Sequence, residues 1–189
     1  MLCRAGSELV CHAEGKLVAK VPAHVRQAEV PRVPIDTRAI AEEAVQRLRS
    51  LVDERQAEIF LEDSWPSPIG HAPWVEEIWA NYISNAIKYG GRPPRVELGA
   101  TVQPDGQVAF WVRDNGAGIP AEDQVRLFQP FTRLQESHAT GHGLGLSIVA
   151  RIVDRLDGSV GVESTVGQGS TFRFTLPAPA IRKKPRRDG

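Results

Sequence analysis

Cysteine is scarce in this chain, because Cys3 and Cys11 are the only two among 189 residues. A disulfide framework normally uses more cysteines, and a structural zinc site needs about four ligands. Two free thiols in a reducing compartment are the simplest interpretation, so we expect a cytoplasmic protein. A continuous apolar run of about 18 residues is missing, and residues 1–15 lack the apolar centre of a signal peptide. We therefore expect no membrane contact by this segment.

An excess of charge of one sign is also missing, because 23 acidic and 23 basic residues cancel. Without a global field, the sequence gives no sign of binding to nucleic acid or to an anionic membrane. Residues 178–189 hold several basic residues among prolines, which favours a solvated basic tail, with a nucleic-acid arm as the alternative. The 41% hydrophobic content is enough for one domain with a core.

Three stretches with apolar residues at helical spacing predict helices over about 37–54, 74–89 and 144–156. Asp36 or Thr37 can cap the first helix. Residues 1–33 are poorly patterned, and Leu17 and Val18 hint at a helix that Pro22 would kink. We interpret 1–33 as a linker or the remnant of a dimerisation helix, and 34–177 as the main domain.

Alternating apolar residues predict strands, and most of them come late in the chain. Residues 96–102 and 108–112 form a hairpin around Pro104-Asp-Gly106, and further strands are expected at 59–61, 160–163 and 171–176. Residues 114–142 show little periodicity and are expected to be a functional loop. This order predicts an α+β fold, a two-layer sandwich in which helices pack on one face of a mixed sheet.

Polar side chains share one side of the second predicted helix. Asn81, Asn85 and Lys88 are spaced i, i+4 and i+7, away from the apolar stripe, and Tyr89 lies next to them. A carboxamide oxygen suits Mg²⁺, and a lysine can meet a phosphate as a point charge. A polar helix face in water explains the same spacing, and because such faces are common, it would be the preferred interpretation if this motif stood alone.

The segment Asp114-Asn-Gly-Ala-Gly-Ile119 directly follows a predicted strand. A carboxylate at the strand end can accept a hydrogen bond from an exocyclic amine such as that of adenine. Gly116 and Gly118 would let the backbone turn and approach a ligand, and Ile119 would supply an apolar wall. The same residue types also form ordinary turns, so both interpretations remain open for this segment as well.

The glycine-rich stretch Gly141-His-Gly-Leu-Gly-Leu-Ser147 leads into the third predicted helix. Its free N–H groups and the positive end of the helix dipole would suit phosphates, with a flexible hinge as the alternative. It fits neither the Walker pattern nor the dinucleotide fingerprint. Upstream, Phe128, Phe131 and Arg133 indicate either a lid whose arginine reaches a terminal phosphate or a small apolar cluster under the loop.

Together, these motifs resemble the N, G1, F and G2 boxes of the ATPase superfamily that joins DNA gyrase, the heat-shock chaperone ATPase, mismatch-repair proteins and histidine kinases. Within this superfamily, the motif sequences resemble those of histidine kinases. This holds for Asn81-Tyr-Ile-Ser-Asn-Ala-Ile-Lys-Tyr89, for Phe128-Gln-Pro-Phe131 and for residues 143–149 and 167–172. The resemblance covers roughly 33–177. It implies the Bergerat fold and the catalytic, ATP-binding domain of a sensor histidine kinase.

The resemblance also implies roles for single residues. Asn85 would hold Mg²⁺, and Asp114 would receive the adenine amine with support from Thr171. Tyr89, Ile119 and Leu146 would line the base. Lys88, Arg133 and the backbone of Gly141 to Gly145 would handle the phosphates. The other implied ATP-binding positions are Gly116, Gly118, Phe131, His142, Gly143 and Leu144, and the implied catalytic residues are Asn81, Lys88 and Arg133.

Two departures from the family pattern stand out. His142 replaces a residue that is usually Thr or small. None of the five histidines stands in the helical hairpin of a phospho-acceptor, and His12 is followed by Ala13 where an acidic residue is usual. We therefore expect transfer from Mg-ATP to a histidine on a separate dimerisation domain or chain, and from there to a response regulator. A homodimer is expected only if upstream helices are present.

Two other functions fit the same motifs. One is a nucleotide-binding regulatory module that transfers nothing, and the other is a serine-directed kinase of the anti-sigma-factor type. A gyrase- or chaperone-like ATPase is disfavoured by Asn81, because the hydrolysing relatives place a glutamate there as general base. A neutral carboxamide cannot accept the proton of a water at pH 7. We therefore predict slow hydrolysis, which Asn81→Glu would, if anything, raise.

Overall fold

A computed structural model describes residues 30–129 and 144–179, together with the backbone alone of residues 9–11 and 17–19. Its main sheet has seven strands in the order β1-β2-β8-β9-β7-β6-β4. Only β4 and β6 pair in parallel among these strands, so the sheet is mixed. The strands are β1 Leu9–Cys11, β2 Leu17–Ala19, β4 Glu58–Leu61, β6 Arg95–Val102, β7 Gln107–Asp114, β8 Val160–Thr165 and β9 Gly169–Pro177.

A second, two-stranded sheet pairs β3 (Val33–Pro34) with β5 (Ile69–Gly70). The helices are α1 Thr37–Arg47, α2 Arg49–Arg55, α3 Ala72–Tyr89, α4 Ala121–Gln124 and α5 Gly145–Arg155. Asp36 caps α1 as expected, because its side chain accepts the N–H of Ala39 at 3.1 Å. None of the helices in the described part of the chain is both long and apolar enough to cross a membrane.

The core lies between the sheet and the helices α1, α3 and α5. Successive side chains of a strand point to opposite faces, so Phe110 of β7 and Phe174 of β9, which are paired, share the face that meets the helices. Trp79 of α3 is fully buried, with its ring centroid 5.2 Å from that of Phe174 and 6.0 Å from that of Phe110. The structure thus confirms the expected mixed sheet with helices on one face.

The first predicted helix is interrupted at Leu48. The N–H of Leu48 bonds to the carbonyl oxygens of both Ala44 and Val45, and its φ of −95° and ψ of 9° leave the helical region. The expected helix over 37–54 is therefore two helices, α1 and α2. The proline-rich stretch 64–73 contains β5, and the expected loop 114–142 contains the short helix α4.

The helix suggested for Leu17 and Val18 was wrong, because both residues belong to strand β2. Leu17 lies opposite Val162 of β8, more than a hundred residues away in the chain. Pairing over such a distance outweighs the weak local helical spacing. The segment expected to be a linker or helix remnant thus contributes two strands to the edge of the main sheet. The domain bounds at 33/34 and 177/178 stay a prediction.

Candidate functional site

Asp114 is a buried carboxylate at the last position of β7, with an exposed fraction of 6%. Its Oδ1 atom accepts the backbone N–H of Gly116 at 2.8 Å and that of Ser170 at 3.3 Å. Burial raises the pKa of Asp114, and these two hydrogen bonds lower it in part. Within the described residues, Oδ2 has no hydrogen-bond partner, so it is left to accept one from a ligand.

The turn after Asp114 fits closely between α3 and the β8–β9 turn. A Cβ atom on Gly116 would lie 2.2 Å from the carbonyl oxygen of Tyr89, so only glycine fits there. Gly118 has a φ of +73°, and a Cβ there would lie 2.1 Å from the carbonyl oxygen of Thr165. Both glycines therefore serve close backbone packing, which places the Asp114 carboxylate beside the end of α3.

Asn115 holds the segment next to Asp114 in place, a role that its residue type did not predict. Its Oδ1 accepts the N–H groups of Gly91 and Arg95, both at 2.9 Å, and its Nδ2 donates to the Pro93 carbonyl at 3.1 Å. These three bonds tie the loop after α3 to the end of β7. Asn115 thereby fixes the loop between α3 and β6 relative to the residue that precedes it, Asp114.

Ser170, rather than Thr171, lies beside the Asp114 carboxylate. The hydroxyl of Thr171 accepts from Nε of Arg113 at 3.5 Å, on the face of the sheet opposite to the helices. Ser170 is buried, and its Oγ lies 3.0 Å from Oγ of Ser164. Ser164 in turn accepts the N–H of Ile119 at 2.8 Å. The serine pair therefore links β8 and β9 to the turn that holds Ile119.

The polar side of α3 faces the same region. Asn85 is half-buried, and its amide makes no hydrogen bond to any described residue. Lys88 is exposed. Tyr89 is 57% exposed, although it is the last residue of α3, whose other side is buried in the core. An amide oxygen and an ammonium that have no partner among the described residues, together with an exposed aromatic ring on the same side of the helix, are chemically suited to bind a ligand.

Asn81, one turn before Asn85, already has partners. Its Nδ2 donates to the carbonyl oxygen of Glu77 at 2.8 Å and to Oε1 of Glu77 at 3.0 Å. Gly145 of α5 packs against the other end of this amide, because a Cβ there would lie 2.4 Å from Oδ1 of Asn81. A side chain larger than that of glycine at 145 would therefore displace the Asn81 amide where α5 begins next to α3.

The other expected site residues fall into two groups. Leu144, Leu146 and Ile119 are half-buried near the start of α5 and the Asp114 turn, and the latter two pack on the core. The remaining residues, Phe131, Arg133, Gly141, His142 and Gly143, lie outside the described residues. The structure therefore brings together the α3 side chains, the Asp114 turn and the start of α5.

The donor set suits a nucleotide better than a bare metal ion. No group of three or more His, Cys, Asp or Glu residues within the described part of the chain is placed to hold a metal. A buried carboxylate with one unpaired oxygen matches an exocyclic amine, and an amide oxygen without a partner matches a hard cation such as Mg²⁺ that keeps most of its waters. An amide alone would hold such a cation only together with phosphate oxygens.

Comparison with known proteins agrees with this chemistry. Residues 70–180 match the family described as histidine kinase-, DNA gyrase B- and HSP90-like ATPase. The methanogenesis regulatory histidine kinase FilI of Methanothrix harundinacea is 33% identical over 141 residues, which cover 74% of this chain and 16% of FilI. The adaptive-response sensory kinase SasA of Crocosphaera subtropica is 30% identical over 171 residues, which cover 89% of this chain and 43% of SasA.

A solved structure shows the same fold. Full-length ShkA in complex with AMPPNP superimposes with a TM-score of 0.69 and 28% sequence identity, covering 79% of this chain and 32% of ShkA. The chain thus spans less than half the length of each of these three proteins. The match to the family, over residues 70–180, includes the Asp114 turn and the polar side of α3.

Proposed function

Because the chain belongs to the family of histidine kinase-, DNA gyrase B- and HSP90-like ATPases, we propose that it is the ATP-binding catalytic domain of a sensor histidine kinase. It binds Mg-ATP and delivers the γ-phosphoryl group to a histidine on a separate dimerisation domain or chain, which then serves a response regulator. FilI is a regulatory histidine kinase and SasA a sensory kinase, which supports this choice over the gyrase and chaperone branches.

The observation that carries the proposal is the Asp114 carboxylate. One of its oxygens is held by two backbone N–H groups, and the other is unpaired among the described residues. That second oxygen would accept the amine of adenine, with the exposed ring of Tyr89 and the half-buried Ile119 beside the base. A hydrogen bond to a charged group contributes about 1.5–3 kcal/mol. The bond between Asp114 and the adenine amine would also select adenine over nucleobases that lack this amine.

The phosphate end of the site rests on α3 and α5. Asn85 offers an amide oxygen without a partner among the described residues, and it would hold Mg²⁺ together with phosphate oxygens and waters. When bound, the ion neutralises charge on the triphosphate. Lys88 would pair with phosphate as a point charge. Arg133 and the backbone of Gly141 to Gly145 remain the proposed partners of the terminal phosphate, as the sequence motifs indicate.

In the proposed reaction, an imidazole nitrogen of the acceptor histidine attacks the γ-phosphorus. A P–N bond forms, the bridging P–O bond breaks and its electron pair stays on ADP, while the imidazole proton passes to solvent. Positioning and charge neutralisation do most of the catalysis in such transfers. The chain's own residues therefore have to hold ATP in place and leave its terminal phosphate accessible to a second domain.

The test is phosphotransfer in trans. The purified protein is mixed with γ-labelled ATP and a panel of histidine-containing dimerisation domains, and the products are treated with acid. We expect acid-labile phosphate on the added domain, lost in Asn85→Ala and retained in Glu76→Ala, a half-exposed residue of the same helix. Acid-stable phosphate would support a serine-directed kinase instead, and nucleotide binding without transfer to any domain would support a regulatory binding module.

A further inference from the structure

The carboxamide of Asn81 can point either way, and its neighbours decide which. Oxygen and nitrogen of an amide differ only in that one accepts and the other donates hydrogen bonds. Both groups on one side of Asn81 are acceptors, namely the carbonyl oxygen and the carboxylate of Glu77, at 2.8 and 3.0 Å from Nδ2. The donor end of the amide is therefore fixed toward Glu77.

The acceptor end consequently faces the start of α5. A Cβ on Gly145 would lie 2.4 Å from Oδ1 of Asn81, so that oxygen is directed at the first residue of the helix. Within the described residues, Oδ1 has no hydrogen-bond partner. The amide therefore presents an acceptor toward the end of α5 that the proposed function assigns to the phosphates.

Glu77 is itself held by a residue of another helix. Nη1 of Arg47, in the last turn of α1, lies 3.0 Å from Oε2 of Glu77 and 3.5 Å from Oε1 of Glu76. The hydrogen bond to Glu77 is the main reason why the pKa of Arg47 is raised. One carboxylate oxygen of Glu77 thus pairs with Arg47 while the other receives the Asn81 amide.

We propose that Glu77 is a positioning residue for Asn81: it fixes the amide so that its oxygen receives a hydrogen from a water bound to the nucleotide's Mg²⁺, and Arg47 fixes Glu77. The inference rests on the proposed function, because it needs Mg-ATP in this site. An acceptor there attracts metal-bound water but repels phosphate oxygens. With the amide reversed, the donor end would meet the phosphates directly, and binding would depend less on the metal.

Structural stabilisation is the competing explanation for these contacts, and the exposure of the two side chains disfavours it. The side chains of Arg47 and Glu77 are 52% and 39% exposed. Ion pairs at that exposure contribute little to stability, since the gain is offset by solvation and side-chain entropy. Loss of Glu77 should therefore affect the metal-dependent part of nucleotide binding and leave the melting temperature nearly unchanged.

The experiment measures ATP affinity by calorimetry, once with Mg²⁺ and once with EDTA, for the full chain and three variants. We expect Glu77→Ala to weaken ATP binding with Mg²⁺ about threefold to tenfold, because one of two acceptors for the amide is lost. Binding in EDTA should not change. Glu77→Gln keeps a carbonyl acceptor and should restore most of the affinity. Glu76→Ala is the matched control, since Glu76 pairs with the same Arg47 but not with Asn81.

A second readout follows the amide itself. The side-chain N–H resonances of Asn81 in ¹H–¹⁵N spectra should shift and exchange faster with solvent in Glu77→Ala, but not in Glu76→Ala. The positioning role is wrong if Glu77→Ala binds Mg-ATP like the unsubstituted protein, or if affinities with Mg²⁺ and EDTA fall equally. Absence of Mg-ATP binding to the unsubstituted protein would instead overturn the proposed function.

Discussion

Asp114 carries its negative charge in a place where burial disfavours charge. Asn is nearly isosteric, and its Oδ1 can still accept the N–H groups of Gly116 and Ser170. We therefore expect Asp114→Asn to keep or raise the melting temperature, because no charge has to be desolvated. Affinity for Mg-ATP should fall about tenfold to a hundredfold, which corresponds to the loss of roughly 1.5–3 kcal/mol. Thermal unfolding and calorimetry measure both effects.

The control for this prediction is the ligand without a base. Inorganic triphosphate lacks the adenine amine, so its affinity with Mg²⁺ should be the same in Asp114→Asn and in the unsubstituted protein. An equal loss for ATP and triphosphate would mean that Asp114 acts on the phosphate end or on the fold, and would contradict the proposed adenine contact.

The raised pKa of Asp114 also makes stability depend on pH. The folded protein binds a proton at this carboxylate more tightly than the unfolded chain does, because the pKa of Asp114 in the unfolded chain is the ordinary 3.8. In the window between 3.8 and the raised value, the folded state therefore holds more protons, and its stability rises as pH falls. Relative to Asp114→Asn, the unsubstituted protein should gain stability on acidification through this window, measured by denaturant titration.

Nucleotide binding should show the opposite trend at the same residue. The adenine amine needs the deprotonated carboxylate as its acceptor, so ATP affinity should fall as the pH drops through the raised pKa. Asp114→Asn has no proton to take up at this position, and its affinity should stay flat over the same range. A parallel fall in both proteins would assign the titration to the phosphates or to another group.

The chemistry at Asp114 could be predicted from sequence, but the identity of its neighbour on β9 could not. Thr171 and Ser170 are adjacent and both carry hydroxyls, so residue type does not separate them. What separates them is the register of β9 against β7, which sends Thr171 to the Arg113 face and brings the N–H of Ser170 to Asp114. A shift of one residue reverses the face of every side chain, and local pattern does not fix that shift.

At the scale of elements, the contact between α3 and α5 leads to a prediction of its own. In an open helix, Gly→Ala stabilises by about 1 kcal/mol. At Gly145, however, the new Cβ would lie 2.4 Å from Oδ1 of Asn81. We expect Gly145→Ala to destabilise the protein by about 1–3 kcal/mol, because the Asn81 amide must leave its two hydrogen bonds with Glu77 or α5 must move away from α3. Equilibrium unfolding in denaturant measures the change.

A double-mutant cycle separates this contact from a general effect of alanine at the start of α5. In the Asn81→Ala background the obstructing amide is gone, and Gly145→Ala should become neutral or stabilising. Additive changes in the free energy of unfolding would mean that Asn81 and Gly145 do not touch. ATP binding should remain impaired in the double variant, since the amide that the proposal uses is missing.

The long elements were predictable because they bury a periodic face. The apolar stripe of α3 and the alternation in β6, β7 and β9 follow directly from burial on one side. The strand β2 and the break at Leu48 were not, since they depend on distant partners or on the bond geometry of one residue. Asn115 was overlooked for a similar reason: its three bonds join segments that the sequence separates by about twenty residues.

On the scale of the whole molecule, the sheet separates two kinds of chemistry. Its helix side carries the core and the proposed nucleotide site, where Asp114 and the end of α3 meet. Its other side carries paired charges, with Arg173 2.7 Å from Glu163 and Arg113 3.6 Å from Glu97. These pairs are partly exposed and contribute little stability. All the described groups that the proposed function assigns to ATP therefore lie on the helix side of the sheet.

That arrangement leads to the last prediction, which concerns ATP turnover by the whole chain. A general base near the terminal phosphate typically accelerates attack by water about 10²–10⁴-fold. Asn81 is neutral. The carboxylate that contacts it, that of Glu77, is already paired with Arg47 and with the Asn81 amide. We therefore expect the purified protein to bind Mg-ATP yet release phosphate more slowly than about one per second, the lower end of ordinary turnover.

Asn81→Glu, if anything, should raise the rate of phosphate release. The rate should rise further together with Glu77→Gln, which removes a second carboxylate beside the new one. Asn85→Ala should abolish any residual turnover. Steady-state phosphate release measures all four proteins, and several turnovers per second without substitution would favour a gyrase- or chaperone-like ATPase over a histidine kinase.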